Sequence, residues 1–383
     1  MELSEDTLKI IFNNFFPKQL TPLFYVCKSW SKVAIEQSYS KLVLHENGSF
    51  LDILNILLHI FDNGFYPYKT FVKEVIILAY PLVPTYSHDK TILNKTVYQV
   101  FSKCSNILHF SWNRNRMLTA TLIKLVGHWP YYSSLLLKSL DDPLELQLLQ
   151  LVNKSLKCLW FRNDEYQSKS LANYISVFKF PNLLNLHITN FSVNMSLINK
   201  TNFPMTRHLS IDNSVVEMLD VIQESNIRQL SLLNINELTP LLLNQIALQC
   251  PFLTYLEISD ANWNAVKAQQ LNQQQFRFLT SLKLIFNEIC DSNLEFELPE
   301  LQSLSIVNAT LTKADCTTIS QLTKLKMLTL KNIASDSDSF SIIIYDATFD
   351  LEFVELGGFL NFKVSNPMLS QLYKWDAKII IRQ

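Results

Sequence analysis

The chain has 383 residues, of which 48% are hydrophobic and 17% charged, a composition that excludes a largely disordered protein. Lys and Arg number 33 against 34 for Asp and Glu, and this balance gives no indication of nucleic acid or a membrane surface as a partner. No apolar run approaches the roughly 18 residues that indicate a transmembrane helix.

Cysteine and glycine usage argues against metal and cofactor sites. Cys290 and Cys316 are the closest pair in sequence, so there is no C-x-x-C ligand pair, and we expect free thiols in a reducing compartment. The five glycines do not form a phosphate loop, a dinucleotide fingerprint or a G-x-S-x-G elbow. The N-terminus lacks the basic and apolar segments of a signal peptide. We therefore expect that the protein is not an enzyme and binds no cofactor and no metal. We expect it in the cytoplasm and/or nucleus.

Residues 3–30 contain the first predicted elements, two short amphipathic helices. The first follows a cap at Ser4 and ends at Pro17, with apolar residues at helical spacing at Leu8, Ile11, Phe12 and Phe15. The second is predicted to start at Thr21-Pro22, because proline suits the first turn of a helix. Its apolar side carries Leu23, Val26, Cys27 and Trp30. A domain of about 40 residues buries too little surface to be very stable alone, so we expect a partner or a neighbour.

This segment resembles an F-box, the helical module that docks on the Skp adaptor of cullin–RING ubiquitin ligases. The family pattern is matched by Leu3, by Ile11-Phe12, by Leu20 at the turn, and by Val26-Cys27-Lys28 with Trp30. Ser4 departs from it, because the family has proline there. The resemblance implies an F-box over residues 1–45 that binds the adaptor through Leu3, Leu8, Ile11, Phe12, Phe15, Leu20, Leu23, Val26, Cys27 and Trp30. The alternative is a helical hairpin that merely caps the remainder of the chain.

Short strands alternate with helical segments over the next hundred residues. An apolar alternation over Lys41–Leu44 predicts the first strand. Three apolar triplets with the spacing i, i+3, i+5 follow at Val72/Val75/Ile77, Ile107/Phe110/Trp112 and Tyr132/Leu135/Leu137. The long step between the first two of these indicates an insertion near Tyr80–Pro84, a proline-punctuated loop.

The same triplet then recurs nine times at intervals of 21 to 27 residues. The copies are Leu156/Leu159/Phe161, Leu183/Leu186/Ile188, Thr206/Leu209/Ile211, Ile227/Leu230/Leu232, Leu253/Leu256/Ile258, Leu279/Leu282/Leu284, Leu301/Leu304/Ile306, Leu325/Leu328/Leu330 and Leu351/Val354/Leu356. This period and strand signature resemble the leucine-rich-repeat family. The resemblance implies an α/β solenoid over residues 46–383, with a curved parallel sheet inside and helices and loops outside. Its clearest repeats are 156–356, and 366–383 is expected to cap the array.

Outward positions of these strands are the candidate binding surface. Because the triplet residues point into the core, the residues between and just after them line the exposed face of the sheet. We single out five of them as a weak substrate-binding site: Trp160, Arg162, His187, His208 and Tyr255. An exposed tryptophan beside an arginine is typical of interaction hot spots, although an ordinary solvated sheet is the alternative. The two histidines lack a third ligand for a metal.

An F-box followed by leucine-rich repeats is a known family architecture. It implies the substrate-recognition subunit of a Skp–cullin–F-box ubiquitin ligase, which binds the Skp adaptor and, through it, the cullin–RING ligase, while the repeats hold a protein substrate. The alternative is a non-ligase scaffold bound to the Skp adaptor without cullin, in a kinetochore-like or trafficking assembly. Both use the same helices, so the sequence does not separate them.

Overall fold

A computed structural model describes residues 4–12, 17–46, 49–64, 67–79, 90–112, 119–137, 142–163, 169–217, 224–235, 238–260, 263–346, 351–358, 367–368, 370 and 378–382. The chain forms two compact units, Met1–Cys158 and Leu159–Gln383. The predicted insertion at 80–84 lies outside the described residues.

The first unit begins with short helices that share one small core. They are α1 (Glu5–Phe12), α2 (Pro17–Leu20), a 3-10 helix (Thr21–Tyr25) and α3 (Lys28–Ser40). The Ser4 hydroxyl accepts from the backbone N–H of Thr7 at 3.2 Å, which is the predicted cap. Thr21-Pro22 opens the 3-10 helix rather than the predicted second α-helix, which starts at Lys28 with Cys27 as its N-cap. The core contains Leu8, Phe12, Leu20, Val33 and Ala34.

Strands and helices then alternate through the rest of the first unit. Four strands pair in parallel in chain order: β1 (Lys41–Glu46), β2 (Glu74–Ala79), β3 (His109–Trp112) and β4 (Ser134–Leu137). Between and after them lie α4 (Phe50–Asn63), α5 (Tyr68–Phe71), α6 (Lys90–Phe101), α7 (Thr119–Val126) and α8 (Pro143–Val152). All three weaker triplets predicted here are buried. Helix α3 runs directly into β1, and the domain boundary after residue 45 stays a prediction.

The second unit contains thirteen described strands. They are β5 (Cys158–Arg162), β6 (Lys169–Ser170), β7 (Asn185–Thr189), β8 (Phe191–Asn194), β9 (His208–Asp212), β10 (Val215–Glu217), β11 (Gln229–Leu233), β12 (Tyr255–Ser259), β13 (Ser281–Asp291), β14 (Ser303–Thr310), β15 (Met327–Ala334), β16 (Phe353–Gly357) and β17 (Lys378–Arg382). Ten lie side by side in the order β5-β7-β9-β11-β12-β13-β14-β15-β16-β17. The other three, β6, β8 and β10, form a small parallel sheet that the sequence did not predict.

Helices of the second unit stand between consecutive strands. They are α9 (Ala172–Ile175), a 3-10 helix (Met195–Leu197), α10 (Pro240–Gln249), α11 (Ala265–Gln269), α12 (Lys313–Ser320) and α13 (Ser337–Tyr345). Two begin as their sequences indicate: the Thr239 hydroxyl caps α10, and Thr312 with Asp315 forms a capping box on α12. Elements that share a core only with their neighbours are the hallmark of a repeat fold.

Strand register confirms the triplet from Leu186 through Val354. Leu230 pairs with Leu209 on one side and Leu256 on the other, and the central triplet residues continue in this register to Val354. Every triplet residue is buried, including Thr206, whose hydroxyl donates to the Leu183 carbonyl at 2.9 Å. An equivalent residue in each repeat therefore fills one continuous core. The predicted α/β leucine-rich-repeat fold is confirmed.

A turn with left-handed backbone follows several of these strands. Five asparagines stand two residues after the last triplet residue and have φ between 46° and 62°: Asn190, Asn213, Asn234, Asn308 and Asn332. Gly358 occupies the same position with φ 66°, and a Cβ there would collide with the Asn332 side chain. Asparagine and glycine are the residues that tolerate this conformation best. We name these six residues the asparagine turns.

The side chains of the asparagine turns also connect neighbouring repeats. Asn190 donates to the Asn163 carbonyl at 2.7 Å, Asn308 to the Phe286 carbonyl at 2.9 Å, and Asn332 to Asn308 Oδ1 at 2.9 Å. Each contact satisfies a polar group of the preceding repeat. At the far end of the sheet, β17 pairs with β16 in parallel, in the segment predicted to cap the array.

Candidate functional site

Three ring side chains contact one another on the outward face of β5, β7 and β9. Trp160 and His187 are stacked, with ring centroids 5.3 Å apart and an interplanar angle of 8°. His187 and His208 meet edge to face, with centroids 5.4 Å apart at 71°. Because His208 pairs in register with Asn185 rather than with His187, the second contact runs diagonally between strands. We name Trp160, His187 and His208 the ring ladder.

The ring ladder is half-buried, and its middle residue, His187, is neutral at neutral pH. Burial, followed by the neighbouring His208, lowers the pKa of His187 below its ordinary value. A neutral imidazole presents one donor and one acceptor nitrogen, so the middle of the ladder can accept as well as donate a hydrogen bond. Arg162, at the end of β5, is exposed. An apolar ring surface with an exposed guanidinium close by in sequence can hold a partner by stacking and by charge-assisted hydrogen bonds.

Tyr255 lies in a separate, polar cluster. Its hydroxyl donates to Glu257 at 3.2 Å, the Ser231 hydroxyl donates to the same carboxylate at 2.9 Å, and Lys283 Nζ lies 2.7 Å from the other oxygen. We name Ser231, Tyr255, Glu257 and Lys283 the Glu257 network. The prediction that Tyr255 belongs to one surface with Trp160 is not matched by any contact among the described residues. Its hydroxyl is already engaged within the chain.

Electrostatics in the Glu257 network favour the ionised carboxylate. Burial alone would raise the pKa of Glu257, but the hydrogen bonds from Lys283 and Ser231 and the charge of Lys283 outweigh it, so the pKa is lowered. Burial, with the charge of Glu257 beside it, raises the pKa of Tyr255 to about 12. Each polar group in the network has a partner inside the protein, so a ligand would have to compete with these internal hydrogen bonds.

The five residues singled out from the sequence did not include Ser231, Glu257 or Lys283. All three stand between the second and third triplet residues of their repeats, and the register aligns them side by side. Alignment of the repeats by their triplets would have placed an acid next to a base and a hydroxyl. The signal was therefore present in the spacing.

The N-terminal helices divide the predicted adaptor-binding residues into three groups. Leu8, Phe12 and Leu20 are buried in the chain's own core, and Leu23 and Trp30 pack partly buried against it. Ile11, Val26 and Cys27 are exposed, Ile11 by 38% and Val26 by 56%. Leu3 and Phe15 lie outside the described residues. The prediction that Leu8, Ile11 and Phe12 present one common surface needs correction, because α3 covers Leu8 and Phe12 while Ile11 points to solvent.

The part of the chain that the structure describes contains neither a metal cluster nor a helix suited to a bilayer. In it, no group of three or more His, Cys, Asp and Glu side chains is arranged to hold a metal ion. Its helices include none with the length and apolar character needed to cross a membrane. Burial raises the pKa of the Cys104 and Cys316 thiols to about 12, which makes them unreactive at neutral pH. Cys27 is exposed.

Comparison with known proteins yields structural neighbours only. No protein-family model matches the chain, and no curated protein matches it. Among solved structures it is similar to the crystal structure of the TLR13–ssRNA13 complex, with a TM-score of 0.41, 16% identity and coverage of 89% of this chain and 52% of that one. It is also similar to the Toll–Spatzle complex of Drosophila, with a TM-score of 0.42, 11% identity and coverage of 88% and 45%. The chain thus spans about half the length of each neighbour. The fold assignment rests on the register and spacing of its own strands.

Proposed function

We propose that this chain is the substrate-recognition subunit of a Skp–cullin–F-box ubiquitin ligase. Its N-terminal helices dock on the Skp adaptor, and its repeats bind a protein substrate. It performs no bond chemistry and uses no cofactor. It acts in the cytoplasm and/or nucleus by holding the substrate near the ubiquitin-charged enzyme, at an effective concentration of about millimolar for a suitable geometry. Nucleic acid and membrane are not partners in this proposal.

One observation carries the adaptor half of the proposal. The N-terminal helices already fill a core of their own, yet Ile11 and Val26 remain exposed at positions that match the F-box pattern. Apolar side chains left at the surface of a small helical unit are available to a partner. Exposed Cys27 lies next to Val26. We therefore assign direct adaptor contact to Ile11, Val26 and Cys27, and a supporting role to the buried Leu8, Phe12 and Leu20.

The ring ladder supports the substrate half. Interaction energy concentrates in a few large side chains, with Trp and Arg prominent among them. Trp160, His187 and Arg162 are residues of this kind on a face whose inward neighbours, Leu159 and Phe161, already form the core. The Glu257 network, by contrast, is closed by its internal hydrogen bonds. The substrate is therefore expected at the β5–β9 end of the face.

Affinity purification of the tagged chain from cells tests the proposal. We expect the wild type to co-purify the Skp adaptor together with cullin. The variant Ile11→Asp with Val26→Asp should lose the adaptor by tenfold or more, since burial of each apolar side chain is worth about 1.5–3 kcal/mol. Phe12 is unsuitable for this test, because it is buried and a charge there would unfold the helices.

The control changes two other exposed apolar side chains in the same unit, Ile56→Asp with Leu151→Asp, and should retain the adaptor. Both residues are 58% exposed and lie outside the N-terminal helices. If the Ile11 and Val26 variant kept the adaptor at the wild-type level, the F-box assignment would be wrong. If the wild type co-purified the adaptor without cullin, the non-ligase scaffold would replace the ligase proposal.

A further inference from the structure

A second exposed surface lies at the start of the strands of the repeat unit, away from the outward sheet face. Phe252 and Phe278 each stand immediately before the first triplet residue of a repeat and are 46% and 48% exposed. Their rings stack with centroids 6.2 Å apart and an interplanar angle of 26°. Met205, at the equivalent position two repeats earlier, is 45% exposed, and half-buried Asn226 occupies this position in the repeat between them. Large apolar side chains repeated at one edge of the array form a patch rather than isolated exposed residues.

Basic residues lie next to this patch, either in the sequence or on the neighbouring strands. Lys200 Nζ lies 5.8 Å from the centroid of the Phe252 ring. Arg207 and Arg228 open neighbouring strands, since the backbone N–H of Arg228 donates to the Arg207 carbonyl at 2.8 Å, and both are exposed. The Arg228 carbonyl in turn accepts from the backbone N–H of Thr254 at 2.8 Å, which places Arg228 beside the repeat of Phe252. Arg277, next to Phe278, is also exposed.

Acidic groups near the patch are few within the described residues, and they are engaged. Glu224 Oε2 lies 2.6 Å from Lys200 Nζ. Glu300, one repeat beyond Phe278, lies 2.6 Å from Lys324. Lys200, Arg207, Arg228 and Arg277 bring four positive charges to the neighbourhood of the patch, and Glu224 brings one negative charge. The surroundings of the patch are therefore positive, although the whole chain carries a net charge of only -1. A local positive field on a nearly neutral protein attracts a negatively charged partner to this place in particular.

The arrangement of the rings favours a polypeptide over a nucleic acid. Single-stranded nucleic acid binds by stacking its bases on ring faces that lie open. Here one face of each phenylalanine is turned to the other ring, and Lys200 lies over Phe252. Ring edges and the Met205 side chain instead offer a shallow apolar surface of the kind that receives an aliphatic or aromatic side chain.

We infer that this patch, formed by Met205, Phe252, Phe278, Arg228, Arg277 and Lys200, binds an acidic polypeptide segment with an apolar or aromatic anchor residue. The anchor packs on the two phenylalanines, and the partner's carboxylates pair with Arg228 and Arg277. Lys200 exchanges Glu224 for a carboxylate of the partner. This inference does not depend on the proposed ligase function, because the patch shares no residue with the ring ladder or the N-terminal helices.

The test uses the full chain and a random 12-residue peptide library, selected on the wild type after depletion on Phe252→Ser with Phe278→Ser. We expect the enriched peptides to combine Asp or Glu with an aromatic or leucine residue. For the best peptide, labelled with a fluorophore, Phe252→Ser with Phe278→Ser should weaken binding about tenfold or more. The charge reversal Arg228→Glu with Arg277→Glu should do so too, and salt should reduce the difference.

Two variants sharpen the test. Glu224→Gln removes the internal competitor for Lys200 and should strengthen peptide binding about two- to fivefold, the range expected for one exposed ion pair. Leu241→Ser with Leu248→Ser is the matched control, because these exposed leucines lie on α10 in the same unit, and it should bind like the wild type.

Four outcomes would overturn the inference. The first is enrichment of basic or neutral peptides, and the second is wild-type affinity in both the serine and the charge-reversal variants. The third is tighter binding of a mixed-sequence single-stranded RNA than of the selected peptide. The fourth is patch-dependent dimerisation in sedimentation velocity, which would assign the surface to a second copy of the chain. Because the reversed arginines are exposed, their variant reports on binding even if the serine variant folds poorly.

Discussion

The ring ladder and the Glu257 network occupy equivalent outward positions on one sheet, yet their chemistry is opposite. Trp160 and His187 meet through their ring faces, whereas Glu257 at the corresponding position is held by Ser231, Tyr255 and Lys283. The inward residues beneath both regions are buried apolar side chains, mostly leucine and isoleucine with Phe161 beside Trp160. The triplet thus determines the backbone, and the residue between its second and third members determines whether the face carries stacked rings or a hydrogen-bonded carboxylate. Five predictions test this difference.

The largest effect is expected from the core that both regions share. Leu256→Ala removes a fully buried triplet side chain and should lower the free energy of unfolding by about 2–5 kcal/mol. The loss should extend to the repeats on either side, because Leu256 pairs in register with Leu230 and Leu282. Hydrogen exchange of the three strands, with urea unfolding, measures it. A loss confined to β12 would contradict the repeat coupling.

Glu257→Ala tests the Glu257 network. An exposed outward position normally changes stability by about half a kcal/mol or less, but Glu257 accepts hydrogen bonds from a lysine and two hydroxyls. Hydrogen bonds to a charged group are worth about 1.5–3 kcal/mol, so we expect a loss toward that range. Thermal and urea unfolding measure it. The control is Ser305→Ala at the equivalent position of a later repeat, which should be nearly neutral.

The same carboxylate makes the stability that the Glu257 network contributes depend on pH. Its pKa is lower in the folded chain than in the unfolded chain, so its stabilisation is complete above the unfolded value of about 4.3 and is lost as the pH falls through the folded value. The stability difference between wild type and Glu257→Gln should therefore shrink as the pH is lowered from 5 towards 3. A difference independent of pH would show that the charge of Glu257 contributes nothing.

Trp160→Ala with Arg162→Ala tests the ring ladder and the arginine beside it. Stacking of Trp160 on His187 is worth about 0.5–1.5 kcal/mol, so the variant should stay folded with a small loss of stability. Substrate proteins that co-purify with the wild type should be lost about tenfold or more, while the adaptor is retained. If those proteins also become longer-lived in cells, they are ligase substrates. An unchanged set of partners would show that the ring ladder is an ordinary solvated surface.

The smallest effect is expected at His187. Because burial is the larger cause of its low pKa, His208→Gln should raise that pKa only slightly. A histidine with a lowered pKa opposes protonation of the folded state, so stability should decline as the pH falls from about 6.5 through the folded value. Histidine-selective NMR titration of the wild type and of His208→Gln measures the pKa of His187 in each. A pKa of His187 above the ordinary value would contradict the buried, neutral ring.

Local pattern was sufficient to predict the strands but not every surface. Leu256 and its equivalents were predictable, because burial follows directly from the triplet spacing. Ile11 and Phe12 are adjacent apolar residues on one helix, and which of them is covered depends on Val33 and Ala34 some twenty residues later. A contact between elements decided this case, and single-segment periodicity contains no information on it. The partner of Tyr255, Glu257, lies two residues later on the same strand, but the Lys283 that holds Glu257 comes from the next repeat.

The asparagine turns have a consequence for the length of the chain. Asn308 and Asn332 occupy the same backbone conformation at the same place in consecutive repeats, and each donates to the repeat before it. Removal of residues 308–331 as one block would join Val307 to Asn332 and place the Asn332 side chain where Asn308 meets the Phe286 carbonyl. Removal of one residue fewer, or one more, would put a charged or a β-branched side chain into a left-handed turn. A repeat bounded by two asparagine turns can therefore be removed or duplicated only as a whole, because the residue that enters the turn must tolerate a left-handed backbone.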